Sequence, residues 1–160
     1  MSAIRQKAID GLKAGDTFSA IRRFTEHDVV QFADISRDYN PVHFDERFAG
    51  VKKFRDRICH GLLVASMVTE IGGQLGMLAS GMEFEFRQPV YFGDTITCFF
   101  KITEIDERGR VRAKAVWRNQ EEVTIMEASL TGIIPEMSER QVMIAMMAEG
   151  DPTNKLRDSK

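Results

Sequence analysis

The sequence predicts an α+β protein in which an antiparallel sheet wraps one buried helix. The segment at 61–78, GLLVASMVTEIGGQLGML, is apolar on nearly every side over its first turns, as a helix enclosed by protein must be. From 82 to 134 the chain alternates apolar and polar residues at strand period, in consecutive runs joined by short turns. Runs that follow one another so closely form an antiparallel meander, and the apolar face of a meander needs a helix against it.

The elements follow in chain order. From Gly15, GDTFSAIRRFT reads as a short opening strand. Thr25 with Asp28 resembles a helix N-terminus with an acid in its first turn, and Val29, Phe32 and Ala33 continue at helical spacing. Pro41 disfavours helical geometry at Asn40 and has no N–H to give, so this helix must stop near Asp38. Residues 36–43, SRDYNPVH, are therefore a loop at a helix end, and DERFAGVKKF after them reads as a second short helix. In the apolar run, Glu70, Gly72, Gly73 and Gly76 interrupt the pattern too early for a membrane span.

Met82, Phe84 and Phe86 then alternate with Glu83 and Glu85, and Gly93 with Asp94 signals a turn. Ile96, Cys98, Phe100 and Ile102 line one face of the next strand; Thr95, Thr97, Lys101 and Thr103 line the other. DERG turns the chain at 106–109, Val111, Ala113, Ala115 and Trp117 oppose Arg112 and Lys114, and a last strand covers about 123–134. Ser138 with Gln141 reads as a capping box and Gly150 as a stop, which predicts a terminal helix over 139–149. Its Met143, Met146 and Met147 are expected to be a packing or dimer-facing stripe rather than a binding groove. The tail at 151–160 is expected to be disordered.

At 160 residues and 43% hydrophobic, the chain reads as one domain over 1–160 with its core over about 15–134. Its 22 Lys and Arg nearly balance 24 Asp and Glu, and no basic cluster is dense enough for a nucleic-acid footprint. No apolar stretch of signal-peptide type opens the chain, so a cytoplasmic protein without a membrane partner is expected. Cys59 and Cys98 lack CxxC spacing and are expected to be small buried hydrophobes.

Read alone, the loop 36–43 is most simply a turn in which Asp38 or Asn40 bonds its own backbone. A second motif changes that reading. FADISRDYNPVHFDERFA together with ICHGLLVAS resembles the hydratase motif of the MaoC-like, (R)-specific enoyl-CoA hydratases, and FRQPVYFGDTI is similar to their strand and turn after the central helix. The resemblance covers about 15–134 and implies the hot-dog fold, a sheet wrapped around a long central helix. It also implies an enzyme of fatty acid metabolism that adds water reversibly, with syn stereochemistry, to a trans-2-enoyl thioester. The implied substrate is an acyl-CoA or acyl-ACP, with coenzyme A only as part of the substrate, no further cofactor and no metal. The implied assembly is a homodimer or higher homo-oligomer. One departure is Arg37, where the family often has glycine; glycine takes positive φ easily and arginine resists it, so the turn is expected to differ slightly.

The chemistry of the residues agrees with the resemblance. Hydration needs a nucleophilic water at C3, a proton for C2 and stabilisation of charge on the thioester oxygen. Asp38 and His43 can both point at one water, and histidine titrates near ~6.5, close to cellular pH. The backbone N–H of Gly61, at the start of the buried helix, is the candidate oxyanion donor. Asn40 is assigned a supporting role, and Thr69 is a supporting candidate whose hydroxyl, like that of Ser66, has the alternative of bonding a backbone carbonyl. His60 is read as structural and His27 as a solvated surface group, and Asp38, His43 and His60 match no zinc spacing.

Lys52, Lys53, Arg55, Arg57 and Arg87 are all candidates to meet carrier phosphates. Two alternatives stand beside hydration. One is a hot-dog acyl-CoA thioesterase using Glu70 on the central helix; the other is a non-catalytic acyl-thioester-binding module.

Overall fold

The computed structural model describes residues 2–156. The first helix, α1 (Ala3–Asp10), precedes β1 (Thr17–Arg23), α2 (Glu26–Ser36), a 3-10 turn (Pro41–His43) and α3 (Glu46–Val51). The central apolar run forms α4 (Gly61–Ala65) and α5 (Met67–Leu75). Strands β2 (Leu78–Phe86), β3 (Thr95–Ile105), β4 (Arg110–Arg118) and β5 (Thr124–Ile133) follow, and α6 (Met137–Ala148) closes the fold.

The five strands form one sheet in the order β1-β3-β4-β5-β2, with every neighbouring pair antiparallel. Side chains in register make continuous rows across its inner face. One row runs Ala20, Cys98, Trp117, Met126, Phe86; the next runs Phe18, Phe100, Ala115, Ala128, Phe84. Helix α5 packs on this face, with its Met67, Val68, Ile71 and Leu75 buried against the sheet. The indole Nε1–H of Trp117 donates to the Val64 carbonyl at 3.1 Å, tying β4 to α4. This is the sheet-around-helix architecture of the hot-dog fold.

The strand faces of β3 and β4 follow the sequence pattern residue for residue, and Gly93 at φ 92 makes the expected turn. Thr25 and Asp28 form a complete capping box at α2. Four details differ from expectation. The central helix is broken at Ser66, whose hydroxyl donates to the Leu63 carbonyl at 2.6 Å; this back-bonding competes with the helical ladder and bends it. Leu62, on the run predicted to be buried all round, is 61% exposed.

The box that starts α6 uses Glu136 and Glu139 instead of Ser138 and Gln141, because those two carboxylates reach each other's backbone N–H. Ser138 donates to Glu136 instead. Finally, the tail expected to be disordered is fastened over 151–156; the remainder of that prediction, 157–160, lies outside the described residues. Asp151 pairs with Arg5 at 2.9 Å, and Asn154 exchanges hydrogen bonds with Gln74 at 3.1 and 3.0 Å. Asp151, Asn154 and Gln74 are all buried, and burial of these groups is stable because they satisfy one another.

Candidate active site

The site begins where α2 ends. Arg37 takes φ 63 and ψ 18, and its N–H donates to the Ala33 carbonyl at 2.8 Å. The turn therefore keeps the left-handed conformation a glycine would adopt, against the expectation that arginine would alter it, at a cost of about 1–2 kcal/mol. The next residues brace one another. Asp38 N–H donates to Ser36 Oγ, Asn40 N–H to Asp38 Oδ1, and Val42 N–H to Asn40 Oδ1, each at 3.2 Å. Asn40 thus caps the 3-10 turn, and its side chain braces the loop. Asp38 spends one carboxylate oxygen on the loop and keeps the other for the cavity.

His43 is 7% exposed and stands at the end of that turn. Its Nδ1 lies 2.7 Å from the Ile58 carbonyl, which can only accept, so Nδ1 carries the proton and Nε2 presents a lone pair. Nε2 lies 3.9 Å from Asp38 Oδ2. Burial holds the His43 pKa below the ordinary histidine value; the Ile58 carbonyl opposes this without cancelling it. The His60 ring lies against His43, with centroids 3.7 Å apart and planes tilted 32°.

A cavity of about 510 Å³ opens over the pair. Asp38, His43, His60 and Gly61 line its polar side, and Phe54, Val64, Phe86, Val90, Ile125 and Met126 make an apolar wall. Gly61 is the first residue of α4, so its N–H has no acceptor within the helix. A Cβ there would come 2.6 Å from Phe86 Cε1, so a larger residue would push the Phe86 ring aside from this wall.

The other named residues fall elsewhere. Thr69 donates to the Ser66 carbonyl at 2.6 Å and does not line the cavity, so its hydroxyl takes the backbone alternative. Glu70 is ion-paired with Arg22 and is likewise absent from the cavity wall. His27 is exposed. Cys59 and Cys98 are buried, and burial pushes both thiols up to about 12, which leaves them unreactive.

Asp38, His43 and His60 offer ligand atoms within 4.8 Å of one another. Two imidazoles stacked this closely cannot both aim in-plane lone pairs at one ion ~2.0–2.1 Å away, so the cluster suits hydrogen bonding better than coordination. Among the five candidate cations, Arg57 is paired with Glu26 at 2.6 Å and Arg87 with Glu85 and Glu127. Arg55 lies over the Tyr91 ring at 4.1 Å and Lys52 over Phe48 at 5.8 Å.

Sequence reasoning missed the wall. Phe86 and Met126 meet because β2 pairs with β5 in that register, and no local pattern specifies which distant strands pair.

The sequence profile of the MaoC like domain matches residues 13–124. The chain belongs to the MaoC-like family. A 3-hydroxybutyryl-CoA dehydratase of Methylorubrum extorquens is 30% identical over 152 residues, covering 92% of this chain and 96% of its own. A mitochondrial 3-hydroxyacyl-acyl-carrier-protein dehydratase of Arabidopsis thaliana is 30% identical over 142 residues, covering 85% and 84%. Among solved structures, the (R)-hydratase of Aeromonas caviae involved in PHA biosynthesis superposes with a TM-score of 0.73 at 28% identity, over 78% of this chain and 98% of that one. This MaoC-like protein is thus an enzyme of the hydratase and dehydratase type, a hydro-lyase on the hot-dog fold.

Proposed function

We propose that the protein is an (R)-specific enoyl-CoA hydratase, or 3-hydroxyacyl-CoA dehydratase in reverse, with Asp38 and His43 as its water-activating dyad. The observation that carries this is the 3.9 Å gap between His43 Nε2 and Asp38 Oδ2 at the cavity wall. It is too long for a direct hydrogen bond and suits one water bridging both at about 2.8 Å. Such a water donates one hydrogen to the lone pair of His43 and the other to Asp38, leaving its own lone pair for the substrate.

The water oxygen bonds to C3 as His43 takes its proton. The electrons of the C2–C3 double bond move to the thioester oxygen, where the Gly61 N–H stabilises the enolate; loss of one such donor in other enzymes costs about 2.7–4 kcal/mol. The enolate then re-forms the carbonyl as the dyad returns a proton to C2 from the same face, giving net syn addition. No step calls for a metal or a further cofactor.

The apolar wall fits a hydrocarbon acyl chain. Lys52, Lys53 and Arg55, the candidates without a carboxylate partner among the described ion pairs, would meet the phosphates of a coenzyme A or acyl carrier protein arm. Among the described residues no helix is long and apolar enough to cross a membrane; we assign the enzyme to the cytoplasm, as a homodimer. The thioesterase alternative is disfavoured because Glu70 faces Arg22 instead of the cavity.

The test is absorbance of crotonyl-CoA with and without a thiol reagent. Hydration removes the conjugated absorbance without releasing thiol; thiol release means thioesterase, and neither change over a series of enoyl chain lengths means a binding module. In the same assay Asp38→Asn and His43→Ala should each lower turnover by about 10²–10⁴-fold with the fold intact. Near-normal rates in both would remove the dyad from the mechanism.

A further inference from the structure

His60 plays no part in the chemistry just described, yet it is among the most enclosed side chains of the protein, 1% exposed. Its Nε2 lies 2.9 Å from the backbone carbonyl of Asp38, 22 positions away in the chain. A carbonyl only accepts, so Nε2 carries the proton. That assignment leaves Nδ1 as a lone pair, and Nδ1 is buried with no hydrogen-bond partner. A proton at Nδ1 would be an enclosed donor without an acceptor, so the ring is held in a single tautomer.

Other rings also pack around this one. His43 stacks at 3.7 Å, and the Phe32 ring lies at 5.0 Å with a 53° tilt. His60 therefore touches both halves of the dyad at once: the main chain that carries Asp38, and the ring of His43. Asp38 needs such a tie. It follows a left-handed arginine, its side chain is half exposed, and its own side-chain bonds are to its neighbours in the loop. The loop's own bonds brace its backbone and one Asp38 oxygen, while the His43 ring is anchored outside the loop, on the Ile58 carbonyl.

We propose that His60 is a positioning residue for the reaction: by donating to the Asp38 carbonyl and stacking on His43, it holds the carboxylate and the imidazole at the separation one water can bridge. This rests on the hydratase reading and deepens it. His60 moves no proton in this scheme. It supplies the stiffness that keeps the water between two acceptors, and misplacement of such groups by about 1 Å is worth up to about 10²-fold in rate.

Two substitutions separate the two contacts. His60→Phe keeps a ring against His43 and removes the donor; His60→Gln keeps a donor within reach of the Asp38 carbonyl and removes the ring. With crotonyl-CoA, His60→Phe should lower kcat by up to about 10²-fold with KM unchanged, and His60→Gln should recover part of that loss.

A second readout needs no substrate. Asp38 and His60 are the titratable groups facing His43, so the His43 ring resonances, followed by NMR against pH, report its enclosure directly. The midpoint should rise in His60→Gln, where the stack is lost, and stay low in His60→Phe.

Wild-type kcat in a folded His60→Phe variant would overturn the proposal. So would equal losses of kcat and thermal stability in both variants with no change at His43, which is the mark of a merely structural histidine. If the wild-type protein hydrates no enoyl thioester, the functional reading fails, and the His43 titration still decides whether His60 shapes the site.

Discussion

Arg37 occupies a position where its side chain contributes little and its backbone is strained. At φ 63 it bears about 1–2 kcal/mol that glycine would not, while glycine would give back about 0.4–1 kcal/mol in unfolded-chain entropy. Arg37→Gly should therefore raise stability by up to about 1.6 kcal/mol, seen as a higher thermal midpoint, with hydration unchanged. A loss of activity would show instead that the exposed guanidinium serves the substrate. His43 makes a second prediction at this scale. Burial depresses its pKa, so the neutral base persists below the ordinary ~6.5, and the acid limb of kcat/KM should fall below that value. The stability linkage has the same sign. The unfolded chain takes up the proton first as pH falls, so the stability due to neutral, buried His43 is present above ~6.5 and lost as pH drops through the folded pKa. The loop alone reads as a turn, and Asp38 and His43 stood out in the sequence only when it was paired with the HGLLVAS motif. The tie from His60 was not legible, since its bond to the Asp38 carbonyl spans 22 positions and leaves no periodic trace.

Among the elements, legibility followed the range of the interactions. The inner faces of β3 and β4 could be read because alternation is a local property, and Thr25 and Asp28 because a capping box closes within one turn. The bend at Ser66 depends on a hydroxyl choosing the Leu63 carbonyl over solvent, which sequence leaves open. The start of α6 was misplaced because Glu136 and Glu139, like Ser138 and Gln141, can cap a helix, and the alternatives differ by register alone. The fastened tail was missed for a different reason. Its composition is that of a solvated end, but Asp151 and Asn154 find Arg5 and Gln74 on two helices far away in the chain. This clasp joins α1, α5 and the end of α6 into one unit behind the core. Asn154→Ala deletes both bonds to Gln74 and the one to Asp151, leaving the buried Gln74 amide unpaired. The expected loss is about 1–3 kcal/mol, read by chemical or thermal denaturation, with little change in kcat because the clasp does not line the cavity. An unchanged denaturation midpoint would mean that water replaces the amide at no cost and that the clasp is incidental.

At the scale of the whole molecule, β2 is the feature a single copy leaves unfinished. It pairs with β5 along one side and presents a free backbone edge nine residues long on the other. Its Leu78, Met82 and Phe86 are 70%, 42% and 56% exposed, beside Leu62 at 61%, although Met82 and Phe86 end inner rows that are buried on the neighbouring strands. Long apolar edges of this kind invite another strand. Antiparallel pairing of β2 with β2 of a second copy would satisfy the edge, continue both rows and cover the apolar cluster, which is the physical ground for the homodimer assigned above. The same contact would bear on catalysis, because Phe86 stands at that edge and packs on Gly61, the proposed oxyanion donor. Met82→Arg places a charge in the row where the two sheets would meet, away from Asp38 and His43. It should weaken the dimer by at least about tenfold, equivalent to about 1.4 kcal/mol, measured as light scattering against concentration. Crotonyl-CoA hydration should fall along with the dimer, because Phe86 loses its cover and with it the packing that shapes the oxyanion site. A Met82→Arg protein that remains a dimer at the wild-type concentration would place the interface elsewhere. A Met82→Arg monomer with full activity would show that one copy holds a complete site and that β2 is joined for stability alone.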